Sequence, residues 1–271
     1  MSKLLKPYLY ADMDGTLLTD TKDISDENVA AIKRYIDAGG KFAVATGRSE
    51  LIAKPLLKGA PLNMPSILYN GAAVYDFEGK KFLHQNCLDY DLVERLGRLA
   101  IRVCPTACVE VYCEGPIQLL NRDCVIDHYI TNEKQEHVYR SFEERSRDCM
   151  KLLVYGENAQ LKEVERAIAE EIGSDGFSCV FSAPYYLEIL PADISKGDTL
   201  KWIADNLGYK LEDMAVIGDF YNDLSMILES GFGVAPANAP DDIKAQAQLV
   251  VADNNHSALA DLINNHMIIE D

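Results

Sequence analysis

The chain has 271 residues, of which 48% are hydrophobic and 25% charged, which is typical of a globular protein with one large domain or two smaller ones. Its 43 acidic residues outnumber its 26 basic residues, and the net charge is −17. Such a surface repels nucleic-acid backbones and anionic membranes, so we expect no nucleic acid and no membrane as partners. An anionic substrate would need a bound cation or a local basic group.

The sequence carries no signal for membrane insertion or export. It contains no apolar stretch long enough to span a bilayer, and Lys6 and Pro7 interrupt the apolar start, which argues against a signal peptide. The seven cysteines lie in the middle of the chain and include no Cys-x-x-Cys pair, so we interpret them as reduced. We therefore predict a cytoplasmic protein.

The first third of the chain alternates strand and helix signals. Ser25 suits the N-cap of the first helix. Alternation of this kind needs crossover connections, which are typical of a parallel sheet. In chain order the predicted elements are a strand at Tyr8–Ala11, a helix in "SDENVAAIKRYIDAGG", a strand in "KFAVATGR", a helix from Ser49 towards Lys58, and a strand with a hairpin in "SILYNGAAVYDFEGKKFLHQ".

The middle of the chain has a different pattern, in which short turns join neighbouring antiparallel strands. Its predicted elements are the helix "DLVERLGRLAIRV", the strands "ACVEVYC", "PIQLLN" and "MKLLVYG", the helix "LKEVERAIAEEIG", and the strands "FSCVFS" and "YYLEILP". We therefore predict an α+β module inserted over residues 85–184. Residues 1–84 and 185–271 would form one discontinuous core domain.

From Lys196 onward the strand–helix alternation resumes. The predicted elements are the helix "KGDTLKWIADNLG", the strand "DMAVIGD", the helix "YNDLSMILES" and the strands "GFGVAP" and "LVVADN". The predicted fold class is therefore α/β, with a doubly wound, Rossmann-like parallel-sheet core and an inserted α+β domain.

Two apolar strands, far apart in the sequence, end in acidic residues. If these strands are neighbours, their carboxylates converge at one edge of the sheet, where ligands of open α/β sheets bind. Their mutual repulsion favours a bound divalent cation, and an all-oxygen ligand set favours Mg²⁺. Each cluster taken alone also fits a plain turn or a helix N-terminus. The residues concerned are Asp12, Asp14, Asp219 and Asp223.

Other residues at the predicted strand ends suit a phosphate group. Thr46 and Gly47, in "VATGRS", offer a hydroxyl and backbone N–H groups at the start of a helix. Lys196, in "ISKGD", begins another helix and adds a point charge. A carboxylate nucleophile, Mg²⁺, a hydroxyl and a lysine are the components of phosphoryl transfer through an aspartyl-phosphate. Alternatively, Thr46 caps a helix, Lys196 is a solvated lysine and Arg48 braces a carboxylate.

Four stretches resemble, in order, the four motifs of the haloacid dehalogenase superfamily of phosphatases: "DMDGTLL", "TGR", "SKG" and "GDFYND". The insertion between the second and third motifs resembles the large cap of the Cof-like subgroup. The resemblance covers essentially the whole chain. It implies an α/β core with a cap domain that selects the substrate.

The resemblance also implies the roles of individual residues. Asp12 would be the nucleophile, and Asp14 the general acid that protonates the leaving oxygen and then the base that activates water. Thr46 and Lys196 would hold the phosphoryl group, with Asn222 assisting.

The same resemblance implies how Mg²⁺ is held. Asp12, Asp219 and the backbone carbonyl of Asp14 would be ligands, with Asp223 as a ligand or a support. An extended chain would point the Asp12 and Asp14 side chains the same way and Met13 to the opposite face.

We therefore expect a Mg²⁺-dependent phosphohydrolase that acts on a small phosphorylated metabolite, such as a sugar phosphate or a phosphorylated cofactor. A phosphomutase or phosphotransferase on the same scaffold is the main alternative, because its motifs would be the same. A non-catalytic ligand sensor is a further alternative. The sequence carries no signal for an oligomeric state.

Overall fold

The computed structural model describes residues 3–132 and 134–269, and the chain divides into two compact units. The core unit combines Met1–His84 with Ser195–Asp271, and the inserted unit is Gln85–Ile194. No helix within the described ranges is long and apolar enough to cross a membrane.

Strands and helices alternate in the chain before the insertion. They are β1 (Lys3–Leu4), β2 (Tyr8–Ala11), α1 (Asp26–Asp37), β3 (Lys41–Val44), α2 (Glu50–Leu56), β4 (Ser66–Leu68), β5 (Ala73–Asp76) and β6 (Lys81–Gln85), with a 3-10 turn at Tyr69–Gly71. Ser25 caps α1 as predicted, since its side chain accepts a hydrogen bond from the backbone N–H of Asn28.

The inserted unit contributes the next elements. They are α3 (Tyr90–Val103), β7 (Cys108–Tyr112), β8 (Ile117–Leu119), α4 (His128–Asn132), β9 (His137–Tyr139), β10 (Lys151–Tyr155), α5 (Asn158–Glu171), β11 (Phe177–Ala183) and β12 (Tyr186–Pro191). The short elements α4 and β9 have no counterpart among the predicted elements.

The chain then returns to the core unit. Its remaining elements are α6 (Lys196–Leu207), β13 (Met214–Ile217), α7 (Leu224–Glu229), β14 (Phe232–Pro236), α8 (Asp241–Lys244), β15 (Leu249–Val251), α9 (Ala258–Leu262) and β16 (Ile268–Ile269), with 3-10 turns at Leu211–Asp213 and Asn254–His256 and a π-helical turn at Ile263–Met267.

The main sheet of the core unit has five parallel strands in the order β15-β14-β13-β2-β3. The chain builds outward from β2 to β3 on one side and from β13 to β15 on the other, so β2 and β13 flank the switch point of the sheet. Ala11 lies opposite Ile217 in the parallel register, and both strands therefore end at the same edge. The two acidic motifs follow directly after these strands.

Burial explains why β2 and β13 read as apolar runs rather than alternating ones. Leu9, Tyr10 and Ala11 are fully buried, as is β13, because both faces of the sheet are covered. Leu200 of α6 and Met226 of α7 pack with Tyr10 in one apolar cluster. Two smaller sheets, β4-β5-β6 and the antiparallel pair β1-β16, complete the core unit.

The inserted unit has its own six-stranded sheet, in the order β11-β12-β10-β7-β8-β9. Its apolar cluster joins alternate residues of the strands, such as Val109 and Val111, to residues of α3 and α5, such as Leu96 and Leu161. Strand β12 pairs antiparallel with both β10 and β11, so it belongs to this sheet. The boundary that we predicted after residue 184 is therefore wrong by about ten residues, since the unit extends to Ile194.

Candidate active site

Asp12 is the first residue after β2 and is 5% exposed. Its backbone N–H donates to the carbonyl of Ile217 at the end of β13 (2.9 Å), which joins the two strand ends. The chain then turns, because the N–H groups of Leu17 and Leu18 donate back to the carbonyls of Asp12 and Met13. The prediction that the extended strand continues through Asp14 is therefore wrong.

Lys196 places a buried positive charge between two carboxylates. It is the first residue of α6, as predicted, and its side chain is fully buried. Its Nζ donates to Oδ1 of Asp12 and to Oδ1 of Asp223, each at 2.5 Å. Burial opposes the charge, but the two carboxylates outweigh it and raise the pKa of Lys196. Lys196 is therefore a buried cation rather than a solvated lysine.

Asp223 organises the loop after β13. Its Oδ2 accepts hydrogen bonds from the backbone N–H groups of Asp219 (3.0 Å) and Phe220 (3.1 Å), while Lys196 occupies Oδ1. Asp219 in turn accepts a hydrogen bond from the hydroxyl of buried Thr16 (2.9 Å). These contacts fix the direction of the Asp219 carboxylate.

Asp12, Asp219 and Asp223 form a carboxylate cluster whose ligand atoms lie within 4.8 Å of one another. Burial is the main cause that raises the pKa of Asp12, followed by the charge of Asp223, with Lys196 acting in the opposite direction. Burial and then Asp223 raise the pKa of Asp219 to about 6. One lysine does not offset three carboxylates, and their oxygen atoms suit a hard divalent cation such as Mg²⁺.

The side chain of Asp14 lies outside this cluster. Arg48 binds it with a two-pronged contact, Nε to Oδ2 (2.6 Å) and Nη2 to Oδ1 (2.7 Å), and Lys22 donates to Oδ1 (2.8 Å). Burial opposes ionisation of Asp14, but Arg48 and Lys22 together lower its pKa to about 2. The expected convergence of four carboxylates therefore holds for three of them. The alternative that Arg48 braces a carboxylate is confirmed.

Thr46 and Gly47 lie in the loop after β3. Thr46 is 1% exposed, and its Oγ1 accepts a hydrogen bond from the backbone N–H of Arg48 (3.2 Å). Helix α2 begins only at Glu50, after Ser49, whose side chain accepts from the N–H of Ile52. The prediction that Thr46 and Gly47 form a helix N-terminus is therefore wrong.

Asn222 is exposed, and its amide Nδ2 donates to Oδ1 of Asn70 (3.1 Å). Asn70 lies in the 3-10 turn after β4 with a φ of 56°, a left-handed conformation that asparagine tolerates better than most residues. The structure thus joins the loop of the fourth motif to a turn that the sequence analysis did not assign to the site.

Three further residues belong to the site without having been assigned to it from the sequence. Thr16 holds Asp219, and Lys22 contacts Asp14. Gly15 has a φ of 77°, and a Cβ there would lie 2.5 Å from Oδ2 of Asp219, so a larger residue would strain the backbone and displace the Asp219 carboxylate. Gly15 and Thr16 stand within the first motif, which is the signal that could have identified them. Lys22 has no such signal.

A doubly wound parallel sheet with a carboxylate–lysine cluster at its switch point is typical of an α/β protein that binds its ligand at the carboxyl ends of the strands. A family model for haloacid dehalogenase-like hydrolases matches residues 9–263. The chain belongs to this family, which confirms the resemblance of the four motifs and the predicted α/β fold class. Within the family it is a Cof-like phosphatase.

Similar proteins are known by sequence and by structure. Pyridoxal phosphate phosphatase YbhA of Escherichia coli is 28% identical over 95% of this chain and 97% of its own length. The chloroplastic endoribonuclease YBEY of Arabidopsis thaliana is 30% identical over 96% of this chain, which spans 47% of that protein. The crystal structure of a haloacid dehalogenase-like hydrolase from Bacteroides thetaiotaomicron has a TM-score of 0.87 at 27% identity, and the match covers 96% of this chain and 99% of that one.

Proposed function

We propose that this phosphatase hydrolyses a small phosphorylated metabolite in a Mg²⁺-dependent reaction through an aspartyl-phosphate on Asp12. The observation that carries the proposal is the carboxylate cluster, in which Asp12 contacts buried Lys196 and lies beside Asp219 and Asp223. A nucleophile, a fixed cation and metal-binding oxygens thus lie together at the edge of the sheet where ligands bind.

The reaction would proceed in two displacements. An Oδ atom of Asp12 attacks phosphorus, and the bond between phosphorus and the ester oxygen breaks. The negative charge of the bound phosphate would oppose the effect of Arg48 and Lys22 on the pKa of Asp14, so that Asp14 takes up a proton from solvent and gives it to the leaving alcohol. Water then attacks the phosphoryl group on Asp12, Asp14 takes a proton from that water, and the bond to Asp12 breaks to release phosphate.

The remaining site residues would hold the phosphoryl group and the metal. Asp12, Asp219 and the backbone carbonyl of Asp14 would bind Mg²⁺, and Asp223 would either bind it or support the loop. The bound ion supplies positive charge that screens the repulsion between a carboxylate and an anionic phosphate.

Thr46, Gly47, Lys196 and Asn222 would contact the phosphoryl oxygens. The Thr46 hydroxyl accepts one bond from Arg48, and its own proton can be donated to a phosphate oxygen. Lys196 adds a fixed charge on the side of the nucleophile.

The inserted unit would act as a cap that excludes water and selects the substrate. The E. coli relative is named for pyridoxal phosphate, a phosphorylated cofactor, and we propose a substrate of the same broad class here, a small phosphate monoester. We place the protein in the cytoplasm, which its seven free cysteines support.

The test is phosphate release from a panel of phosphorylated metabolites, with Mg²⁺ or with a chelator, and with Asp12→Asn as the control. Mg²⁺-dependent release that the variant lacks would support the proposal. Transfer of the phosphoryl group to a sugar hydroxyl instead of water would indicate a mutase or phosphotransferase. Mg²⁺ binding without turnover on any compound would indicate a sensor.

A further inference from the structure

The contact between Arg48 and Asp14 points to a functional role for Arg48, which is not a member of the carboxylate cluster. We propose that Arg48 is a positioning residue, which acts through Asp14 by fixing the plane of its carboxylate for proton exchange with the leaving group. This inference rests on the function proposed above, in which Asp14 is the general acid and base.

The hydrogen bonds distinguish the two oxygens of Asp14. Among the described residues, Oδ1 receives two donors, Nη2 of Arg48 (2.7 Å) and Nζ of Lys22 (2.8 Å), whereas Oδ2 receives one, Nε of Arg48 (2.6 Å). A carboxylate oxygen has two lone pairs, so Oδ1 is fully used and Oδ2 keeps one acceptor position. Oδ2 is therefore the oxygen that exchanges the proton.

Asp14 needs such a brace because it is only half-buried and does not belong to a strand. Its side chain is 37% exposed, and its backbone forms an isolated bridge with Leu18. Two parallel N–H donors from one planar guanidinium fix both the direction and the plane of a carboxylate, which a single ammonium cannot do.

Arg48 is itself held firmly, whereas Lys22 is not. The Arg48 side chain is 9% exposed, its backbone N–H donates to Thr46 Oγ1 (3.2 Å), and its carbonyl accepts from the N–H of Tyr69 (3.2 Å). The Lys22 side chain is 47% exposed. Arg48 thus transmits the position of the loop after β3 to Asp14, whereas Lys22 completes the donors to Oδ1 from an exposed position.

The test compares two kinds of leaving group. p-Nitrophenolate leaves as a stable anion and needs little protonation, while an alcohol leaving from an alkyl phosphate needs a proton. In Arg48→Met we expect kcat for an alkyl phosphate to fall by about ten- to a hundredfold, part of the 10²–10⁴ range for general acid catalysis. For p-nitrophenyl phosphate the factor by which kcat falls should be several times smaller, and KM should change little for either substrate.

Matched variants separate the effect of the two parallel hydrogen bonds from Arg48 to Asp14 from the effect of its charge. Arg48→Lys keeps the charge but not the two parallel hydrogen bonds, and it should restore little activity. Lys58→Met removes one positive charge from an exposed pair with Asp23, outside the site, and should leave both rates unchanged. In an Asp14→Asn background, Arg48→Met should cause no further loss, because it acts through Asp14.

Several results would overturn the inference. One such result is an equal fall in kcat for both leaving groups, another is a rise in KM alone, and a third is a fall in kcat that adds to that of Asp14→Asn. Each would show that Arg48 acts on the substrate or the fold. A higher kcat in Arg48→Met would show that the two hydrogen bonds from Arg48 hinder proton exchange at Asp14. If Asp14→Asn kept full activity on alkyl phosphates, the acid–base part of the proposed function would fail instead. Retention of Mg²⁺-induced thermal stabilisation by Arg48→Met checks that this variant folds.

Discussion

Two buried carboxylates, Asp12 and Asp223, share one lysine beside the half-buried Asp219, which leaves the site with excess negative charge. A Mg²⁺ ion that binds the folded state alone should therefore stabilise it, by about 2.7 kcal/mol at a concentration of a hundred times its Kd. We expect Mg²⁺ to raise the melting temperature and a chelator to reverse the shift. In Asp219→Asn the shift should be much smaller.

The matched control for this measurement is Asp175→Asn, which removes one negative charge from an exposed position of the inserted unit. Its Mg²⁺-induced shift should equal that of the unaltered protein. An undiminished shift in Asp219→Asn would place the cation elsewhere. Since thermal stabilisation requires no turnover, this measurement is independent of the identity of the substrate.

Glu110 of β7 is a buried acid that should make the stability depend on pH. Burial and then the charge of Asp127 raise its pKa from 4.5 to about 8, with Tyr112 and Lys151 acting in the opposite direction. Below 4.5 both states hold the proton, whereas between 4.5 and about 8 only the folded state does. The free energy of unfolding should therefore fall as the pH rises, by up to about 1.4 kcal/mol per pH unit.

Glu110→Gln tests this dependence, because the amide does not titrate. Urea unfolding at about pH 5 and about pH 8 should show that the variant gains stability relative to the unaltered protein as the pH rises. Parallel pH profiles for the two proteins would mean that Glu110 does not carry a proton in this window.

Individual residues also show how much of the site could be predicted from the sequence. The convergence of Asp12, Asp219 and Asp223 was predictable, because neighbouring parallel strands end at one edge. A carboxylate partner for Arg48 was one alternative that the sequence offered. The choice of Asp14 and the contact from Lys22 were not predictable, because the direction of both side chains depends on the loop dihedrals after β3 and before α1. Residue type alone does not determine such dihedrals.

At the scale of elements, the 3-10 turn Tyr69–Gly71 supports the start of α6. Gly71 has a φ of 108°, and a Cβ there would lie 2.4 Å from the carbonyl oxygen of Ser195, the N-cap of α6. Gly71→Ala should therefore displace Lys196 and lower kcat by about tenfold or more, beyond the 1–2 kcal/mol cost of the left-handed backbone.

Gly39→Ala is the matched control, since Gly39 has a φ of 95° with no neighbouring atom within 4 Å of a Cβ. It should lose a similar amount of stability to backbone strain but keep its activity. Equal kcat values for the two variants would show that the turn does not support the position of Lys196. The comparison needs kcat and the free energy of unfolding of both proteins.

Element type was easier to predict than element membership. The period of apolar residues and the cap at Ser25 identified α1, and the buried runs identified β2 and β13. The strand β12 was predicted as part of the inserted module, but a strand pattern does not show where a module ends. The predicted boundary at residue 184 therefore fell before β12, which pairs with β10 and β11. The elements α4 and β9 have five and three residues, too few to show a period.

For the whole molecule, the net charge of −17 and the proposed anionic substrate set opposing requirements. The core unit places a buried cation, Lys196, and the carboxylates suited to a metal ion together at the switch point of its main sheet. The sequence predicted this arrangement. The motifs follow strands that are far apart along the chain, and a doubly wound sheet brings the ends of such strands together.

The measurement that tests the central claim most directly is a search for the phosphoryl group on Asp12. Asp14→Asn, which would lack the base for the second step, is mixed with Mg²⁺ and a substrate, quenched in acid and digested for mass spectrometry. We predict a phosphoryl group on the peptide that contains Asp12 and none in Asp12→Asn. Phosphate release by the unaltered enzyme without any phosphoryl group on Asp12 would contradict the account, because water would then attack the substrate directly.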